Sequence, residues 1–362
     1  MSERVFNFNP GPSTLPLSVL EQAQKELLNY KGTGMSIMEH SHRGKVYEEV
    51  NSETEALLKE LLGVPEGYRV LFMQGGASSQ FDLVPLNFLP QGAVADYILT
   101  GSFAEKAYEE AVKIGEVHIA GSTKELNYTR IVEPNEIHLS KAPAYVHITS
   151  NNTIFGTQWQ DFPDFGDVPL VADMSSDILS KKIDVSKFAL IYAGAQKNLG
   201  PSGVTVVIIR NDMLEKVPKS LPTMFRYDIH AKNDSLYNTP PTFSVYLVNL
   251  VLHWVKNNGG LAAMEKQNQD KAKLVYDAID NSAGFFTGHA EKGSRSLMNI
   301  TFRLPNEDLE KAFIAEASKQ GLVGLKGHRS VGGIRASIYN AMPPQGCKAL
   351  AELMIDFAKK NG

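Results

Sequence analysis

Ala193-Gly194-Ala195-Gln196-Lys197-Asn198-Leu199-Gly200-Pro201-Ser202-Gly203 is a loop of small residues with a single lysine in it. Phe188-Ala189-Leu190-Ile191-Tyr192 leads into the loop, and Val204-Thr205-Val206-Val207-Ile208-Ile209 leads out of it. Both runs are short, apolar and bounded by glycine, which predicts two buried strands with Lys197 hanging from a tight turn between them. The loop is not a Walker A loop, which ends Gly-Lys-Ser/Thr after a glycine four residues earlier; here Asn198 follows the lysine.

Most lysines are solvated surface groups. The wider pattern says more than the residue alone. Upstream, Val168-Pro169-Leu170-Val171-Ala172-Asp173 is a further apolar run, and it ends in a carboxylate. A lysine and an aspartate at the mouths of two nearby strands are what pyridoxal phosphate chemistry needs. The amine forms a Schiff base with the cofactor aldehyde, and the carboxylate keeps the pyridine nitrogen protonated.

Around this pair, from about Arg69 to Arg210, short apolar strands alternate with helical stretches. Val70–Met73 precedes Gly75-Gly76 and an amphipathic segment through Phe88; Val94–Leu99 precedes Gly101 and a charged helix from about Phe103 to Lys113; Val117–Ala120 and Tyr145–Thr149 continue the series. Such alternation predicts an α/β fold with a mostly parallel central sheet and ligands at the carboxyl ends of its strands. Gly76, Phe103, Thr153, Asp173 and Lys197 all fall at such ends. A long helix is predicted from about Phe243, broken by Gly259-Gly260, and beyond it an α+β unit with strands at 299–302 and 333–338 and helices at 262–278, 307–320 and 347–360. The expected division is a large domain of residues 16–258 and a smaller one of residues 1–15 with 259–362.

The chain of 362 residues is long enough for one large or two medium domains. Its net charge of −4 gives no hint of nucleic acid or membrane affinity. One cysteine, Cys347, permits neither a disulfide framework nor a thiolate zinc site and fits a reducing cytoplasm. Met1 to Pro12 lack the basic start and apolar core of a signal peptide, and no apolar run approaches the length of a membrane span.

Other motifs read in two ways. Gly75-Gly76-Ala77-Ser78-Ser79 suits an anion at a helix start, or an ordinary strand-to-helix turn. Phe103 suits stacking on a planar ring, or a buried helix start. Asn151-Asn152-Thr153 offers a hydroxyl to a ring oxygen, or makes a simple turn. The clusters His40–Lys45 and Lys326–Ser330 suit a phosphate ester, or are solvated basic loops; Arg335, on a strand, suits a carboxylate clamp. No carboxylate or third histidine stands at metal-ligand spacing from the His-x-His pair, so no metal is expected.

Over its whole length the chain resembles the phosphoserine aminotransferase family, fold-type I pyridoxal phosphate enzymes of the class V aminotransferase group. The resemblance lies in Phe6–Pro12, Ser41–Lys45, the Lys197 loop, Asn238-Thr239-Pro240-Pro241-Thr242-Phe243, and Gly324–Arg329 continuing through Gly332–Ala341. It implies transamination between phosphoserine and 2-oxoglutarate in serine biosynthesis, with phosphorylated 4-hydroxythreonine of vitamin B6 synthesis as a further substrate in some bacteria. It implies a homodimer with shared active sites and one pyridoxal 5'-phosphate per subunit. By the resemblance Lys197 is the Schiff-base lysine and Asp173 the partner of the pyridine nitrogen. Gly76, Ala77 and Gln196 would hold the cofactor phosphate, with Asn238 and Thr239 reaching in from the other subunit. Phe103 would stack on the ring and Thr153 meet its hydroxyl oxygen. Arg335 would take the substrate α-carboxylate, and His42, Arg43, His328 and Arg329 the substrate phosphate or the glutamate side chain. Some members carry Trp in place of Phe103 and Arg in place of Ser78. The alternative within the class is a fold-type I aminotransferase acting on small amino acids, or a cysteine desulfurase, which Cys347 at the start of a helix argues against. The alternative outside it is a non-catalytic binder of phosphorylated metabolites, against which Lys197 with Asp173 argues.

Overall fold

The computed structural model describes residues 4–362; of the segment 1–15 expected to join the smaller unit, Met1, Ser2 and Glu3 lie outside the described residues. Seven strands form the central sheet, in the order Tyr68–Met73, Thr205–Arg210, Leu190–Gly194, Leu170–Asp173, Val146–Thr149, Val94–Leu99, Glu116–Ser122. Thr205–Arg210 runs antiparallel to both of its neighbours, and the other pairs are parallel. The fold is α/β, with the mostly parallel sheet that the alternation of strands and helices predicts.

Continuous apolar runs work here because both faces of the sheet are covered. Phe72, Ile98, Ile148, Ala172, Ile191 and Val206 point into one core, closed by the helices Lys45–Leu62 and Thr242–Asn257. Leu71, Tyr97, Val171, Tyr192 and Val207 point into the other, under Gly76–Phe88 and Ser102–Val112. Neighbouring residues alternate between the two cores, as the period of a strand requires.

The predicted break after the long helix is real. Thr242–Asn257 ends, and Gly259 and Gly260 take φ of 91° and 68° where the helix Gly260–Asp280 begins. A third core gathers Phe8 with Val275, Phe302, Phe313, Ile338 and Met354 around the antiparallel strands Asn299–Arg303 and Ile334–Ser337. The N-terminal strand Phe6–Asn7 joins this part by pairing in parallel with Leu322–Val323. Four α-helices went unread in the sequence, of which Asn211–Glu215 and Tyr227–Lys232 are short and two are longer. Leu17–Glu26 is one; the other, Lys45–Leu62, begins inside what looked like a basic loop and buries Tyr47, Val50, Leu57, Leu58 and Leu62 on one face.

The layers lock together at the turn 338–342. Lys271, at 0% exposure, donates to the carbonyls of Tyr339 at 2.7 Å, Ile338 at 2.9 Å and Met342 at 3.2 Å. Asn340 accepts from Asn268 Nδ2 at 2.8 Å, donates through Nδ2 to the Leu179 carbonyl at 2.9 Å, and donates its backbone N–H to Asn198 Oδ1 at 3.0 Å. Lys271→Met keeps the apolar stem and leaves these carbonyls without their shared donor. It should cost on the order of 2–4 kcal/mol, since each unsatisfied buried polar group costs about 1–3 kcal/mol. The urea midpoint reads this; an unchanged midpoint would show that the carbonyls find other partners.

Candidate active site

A cavity of about 370 Å³ opens at the carboxyl ends of the parallel strands, within the size range of small-molecule sites. Lys197 enters it from the loop after Leu190–Gly194. That loop is closed by Ala195 N–H to the Val204 carbonyl at 3.0 Å and Gly200 N–H to the Ala195 carbonyl at 2.8 Å. Lys197 Nζ donates to Thr153 Oγ1 at 2.8 Å and stands 5.2 Å from the centroid of the Phe103 ring. The amine is reached from the cavity and walled by protein elsewhere. Burial pushes its pKa down to about 8; the Asp173 charge opposes the shift and the Arg335 charge adds to it.

Asp173 ends the adjacent strand and is 4% exposed. Burial pushes its carboxyl above the usual range, against the pull of Ser175 and of the Lys197 charge. Ser175 N–H donates to Asp173 Oδ1 at 2.9 Å, the turn that aspartate forms with the residue two positions on. Arg335, from the strand Ile334–Ser337, is 6% exposed and donates through Nη1 to the Thr153 carbonyl at 3.3 Å. Its Nε is buried without a partner, as is Thr149 Oγ1 in the same cavity.

Gly76 and Ala77 open the helix Gly76–Phe88 at the cavity wall. The first N–H groups of a helix have no acceptor within it, so they offer themselves to an anion. Gly75 and Gly76 take φ of 92° and 66°, and a side chain on Gly75 would strike Ser79 Oγ at 1.9 Å. Gly11 closes the other wall: a Cβ there would lie 3.4 Å from Lys197 Cγ, and Ser13 is latched to the lysine loop through Oγ to the Lys197 carbonyl at 2.8 Å.

The structure thus brings Gly76, Ala77, Phe103, Thr153, Asp173, Gln196, Lys197, His328 and Arg335 into one cavity. It does not bring the other named residues there from the same chain. Asn238 lines a neighbouring cavity with Gln74 and Gly75, and the Thr239 carbonyl accepts from Gln74 Nε2 at 3.2 Å. His42 is half-buried, and Arg43 and Arg329 are exposed, outside the cavity wall. Sequence reading missed Pro10, Gly11, Lys106, Thr149, Ser175 and Ser176. Ser175 was within reach, two residues after an aspartate that ends a strand, and Lys106 lies one helical turn after Phe103.

These residues fit pyridoxal phosphate. A helix start suits its phosphate, an aromatic face its ring, a buried carboxylate its nitrogen and an amine its aldehyde, while an unpartnered guanidinium nitrogen awaits a carboxylate. In the cofactor-free protein, an amine-reactive reagent should label Lys197 with a rate that rises with pH to a midpoint near 8, whereas ordinary lysines titrate near about 10.4. Because the Asp173 charge raises the Lys197 pKa, Asp173→Asn should move that midpoint lower; because the Arg335 charge lowers it, Arg335→Met should move it higher. Peptide-resolved mass spectrometry reads the rates, and a midpoint like that of surface lysines would mean a hydrated amine.

A family model, aminotransferase class-V, matches residues 5–350. Phosphoserine aminotransferase of Geobacillus kaustophilus (strain HTA426) is 62% identical over 358 residues, covering 99% of this chain and 99% of that protein. The solved phosphoserine aminotransferase from Bacillus circulans subsp. alkalophilus superposes with a TM-score of 0.98 at 57% identity, over 100% of both chains. The solved pyridoxal-phosphate-bound phosphoserine aminotransferase of Trichomonas vaginalis superposes with a TM-score of 0.93 at 41% identity, over 97% of this chain and 99% of that one.

Proposed function

The chain belongs to the class-V aminotransferase family, among its phosphoserine aminotransferases, and we propose how its residues exchange an amino group between phosphoserine and 2-oxoglutarate in serine biosynthesis. The observation that carries this reading is Lys197. Its amine, with pKa pushed down to about 8, shares one cavity with a buried carboxylate and a buried arginine that lacks a partner at Nε.

Bound pyridoxal phosphate supplies an aldehyde that takes up the amino group and a protonated ring that draws off negative charge. Gly76, Ala77 and Gln196 hold its phosphate, Phe103 covers its ring, Thr153 meets its hydroxyl and Asp173 keeps the proton on its nitrogen. Lys197 Nζ takes the proton from Cα of the amino donor and returns one to Cα of the keto acid in the second half-reaction. In the cofactor-free cavity burial already favours the unprotonated form of that amine. Arg335 pairs with the α-carboxylate that all substrates share. His328 and Arg329, with His42 and Arg43, take the phosphate of phosphoserine or the side-chain carboxylate of glutamate.

Two copies complete each site. Asn238, Thr239 and Arg43 lie outside the cavity of their own chain, and large apolar side chains close to them are exposed, Met38 at 51% five residues before Arg43 and Phe225 at 46% in one cavity with Asn238, as on a surface made for a partner. The chain has no helix long and apolar enough to cross a membrane among the described residues. Action in the cytoplasm, and a division into residues 16–258 and residues 1–15 with 259–362, belong to the same reading; the separate core around Phe8 and Phe302 supports the division.

Cofactor-loaded protein should use phosphoserine with 2-oxoglutarate, and borohydride should attach the cofactor mass to the peptide holding Lys197. Lys197→Ala should bind cofactor yet lose at least about four powers of ten in turnover, roughly 5 kcal/mol of barrier. Multiple turnovers by that variant would overturn the assignment. For the shared site, Lys197→Ala and Arg43→Ala can be unfolded together and refolded as a mixture. Each mixed dimer then holds one site with both defects and one with neither. Random pairing should restore roughly a quarter of wild-type activity; no recovery, with mixed dimers present by mass spectrometry, would place Arg43 in its own subunit's site or outside it.

A further inference from the structure

We propose that Lys106 is a specificity-determining residue, whose ammonium group at the mouth of the cavity binds the doubly charged phosphate end of the substrate beside His328. The inference rests on the reading of the substrate given above.

Lys106 lies one turn after Phe103 on the helix Ser102–Val112 and lines the same cavity as Lys197, His328 and Arg335. Its Nζ stands 5.3 Å from the centroid of the Phe103 ring, where Lys197 Nζ stands at 5.2 Å. One aromatic ring therefore carries two amines, one inside the cavity and one at its rim. Lys106 also lacks the partner a helical lysine usually finds. The carboxylate four residues on, at Glu110, is the natural one, but Glu110 pairs with Lys113 at 2.6 Å, and Glu105 pairs with Lys124 at 2.6 Å. Among the described residues Lys106 makes no ion pair, so its charge is free to meet a ligand.

Charge matching gives that freedom a use. A phosphate ester carries a charge of about −1.5 to −2 near neutral pH. His328 is held below the ordinary histidine range, by burial first and then by the charges of Arg335, Arg329 and Lys106. In the ligand-free cavity those charges disfavour a further positive charge on His328. Arg335 is deep in the cavity and is spoken for by the α-carboxylate. Within the chain, the positive charge at the cavity mouth then falls to Arg329 and Lys106, and of these Lys106 alone lines the cavity. A lysine serves here as a point charge on a mobile stem, which suits a phosphate that arrives and leaves at every turnover. The glutamate side chain carries a single charge in the same place and should depend on Lys106 less.

Cofactor-loaded wild type, Lys106→Met and Lys106→Arg should be compared with phosphoserine, glutamate and alanine as amino donors. Lys106→Met keeps the stem over Phe103 and removes only the charge. Its kcat/KM should fall about tenfold for phosphoserine, chiefly through KM, about threefold for glutamate and less than about twofold for alanine, as expected for one charge-assisted contact at a partly exposed site. Lys106→Arg should recover most of the loss. Raising the salt from about 0.05 to about 0.5 M should weaken phosphoserine use more in wild type than in Lys106→Met, because salt screens exposed charges. A wild type with no preference for phosphoserine over alanine would sink the substrate reading itself. A wild type with that preference, and a Lys106→Met that loses equally on all donors or on none, would overturn the role of Lys106. So would a loss that tracks weaker cofactor binding by absorbance.

Discussion

Holding an amine and a carboxylate among protein atoms in the wall of one cavity is the constraint that the rest of this molecule serves. Each group loses hydration, and each responds in its own sense: the Lys197 pKa falls to about 8 and that of Asp173 rises. The frame that holds them is a seven-stranded sheet with a packed core on each face. Its register does the placing. Thr149 lies opposite Asp173 on one side and Tyr192 lies opposite it on the other, so three neighbouring strands end together and release Thr153, Asp173 and Lys197 into one crevice. Phe103 and Thr153 follow adjacent strands from which the chain departs toward opposite edges of the sheet, the place where open α/β sheets bind ligands.

Arg335 comes from outside that sheet, so its distance from Lys197 must be fixed by something else. Buried polar links do this. Asn151 donates to Asn299 Oδ1 at 2.8 Å, Asn299 donates to Tyr339 Oη at 3.1 Å, and Tyr339 donates to the Pro10 carbonyl at 2.6 Å. Asn340 ties the same turn to Asn198, the residue after Lys197. Such a chain is costly if any member lacks a partner and stiff when all are satisfied. The two halves of the site are held in register by hydrogen bonds that do no chemistry themselves.

This explains what could and could not be read from the residues alone. The strands of the sheet announce themselves because burial on both faces demands unbroken apolar runs, and Gly259-Gly260 announces a break because two positive-φ positions in a row cannot continue a helix. Asp173 stands out because it is polar where its neighbours are not, and Lys197 because it is the single charged residue in a small-residue loop between two apolar runs. The helix Lys45–Leu62 was hidden behind Arg43-Gly44-Lys45, whose charges read as a loop while the apolar face lay further on. Gly11 and Pro10 were hidden for another reason. Gly11 meets Lys197 across nearly two hundred residues of chain and Pro10 meets Tyr339 across more than three hundred, and no local pattern records contacts made at such separations. Lys106 was hidden as an ordinary solvated lysine; only the pairing of Glu110 with Lys113 sets it apart.

The N-terminal strap has a consequence for how the protein is made. Phe6 pairs with Leu322, and Ser13 closes over the lysine loop, so one wall of the cavity hangs from a pairing made across more than three hundred residues of chain. A chain cut short of Leu322 keeps every strand of the central sheet but lacks the strand on which Phe6 is seated. A tag fused ahead of Phe6 is therefore tethered, by a handful of residues, to the cavity that holds Lys197 rather than to a remote corner of the surface.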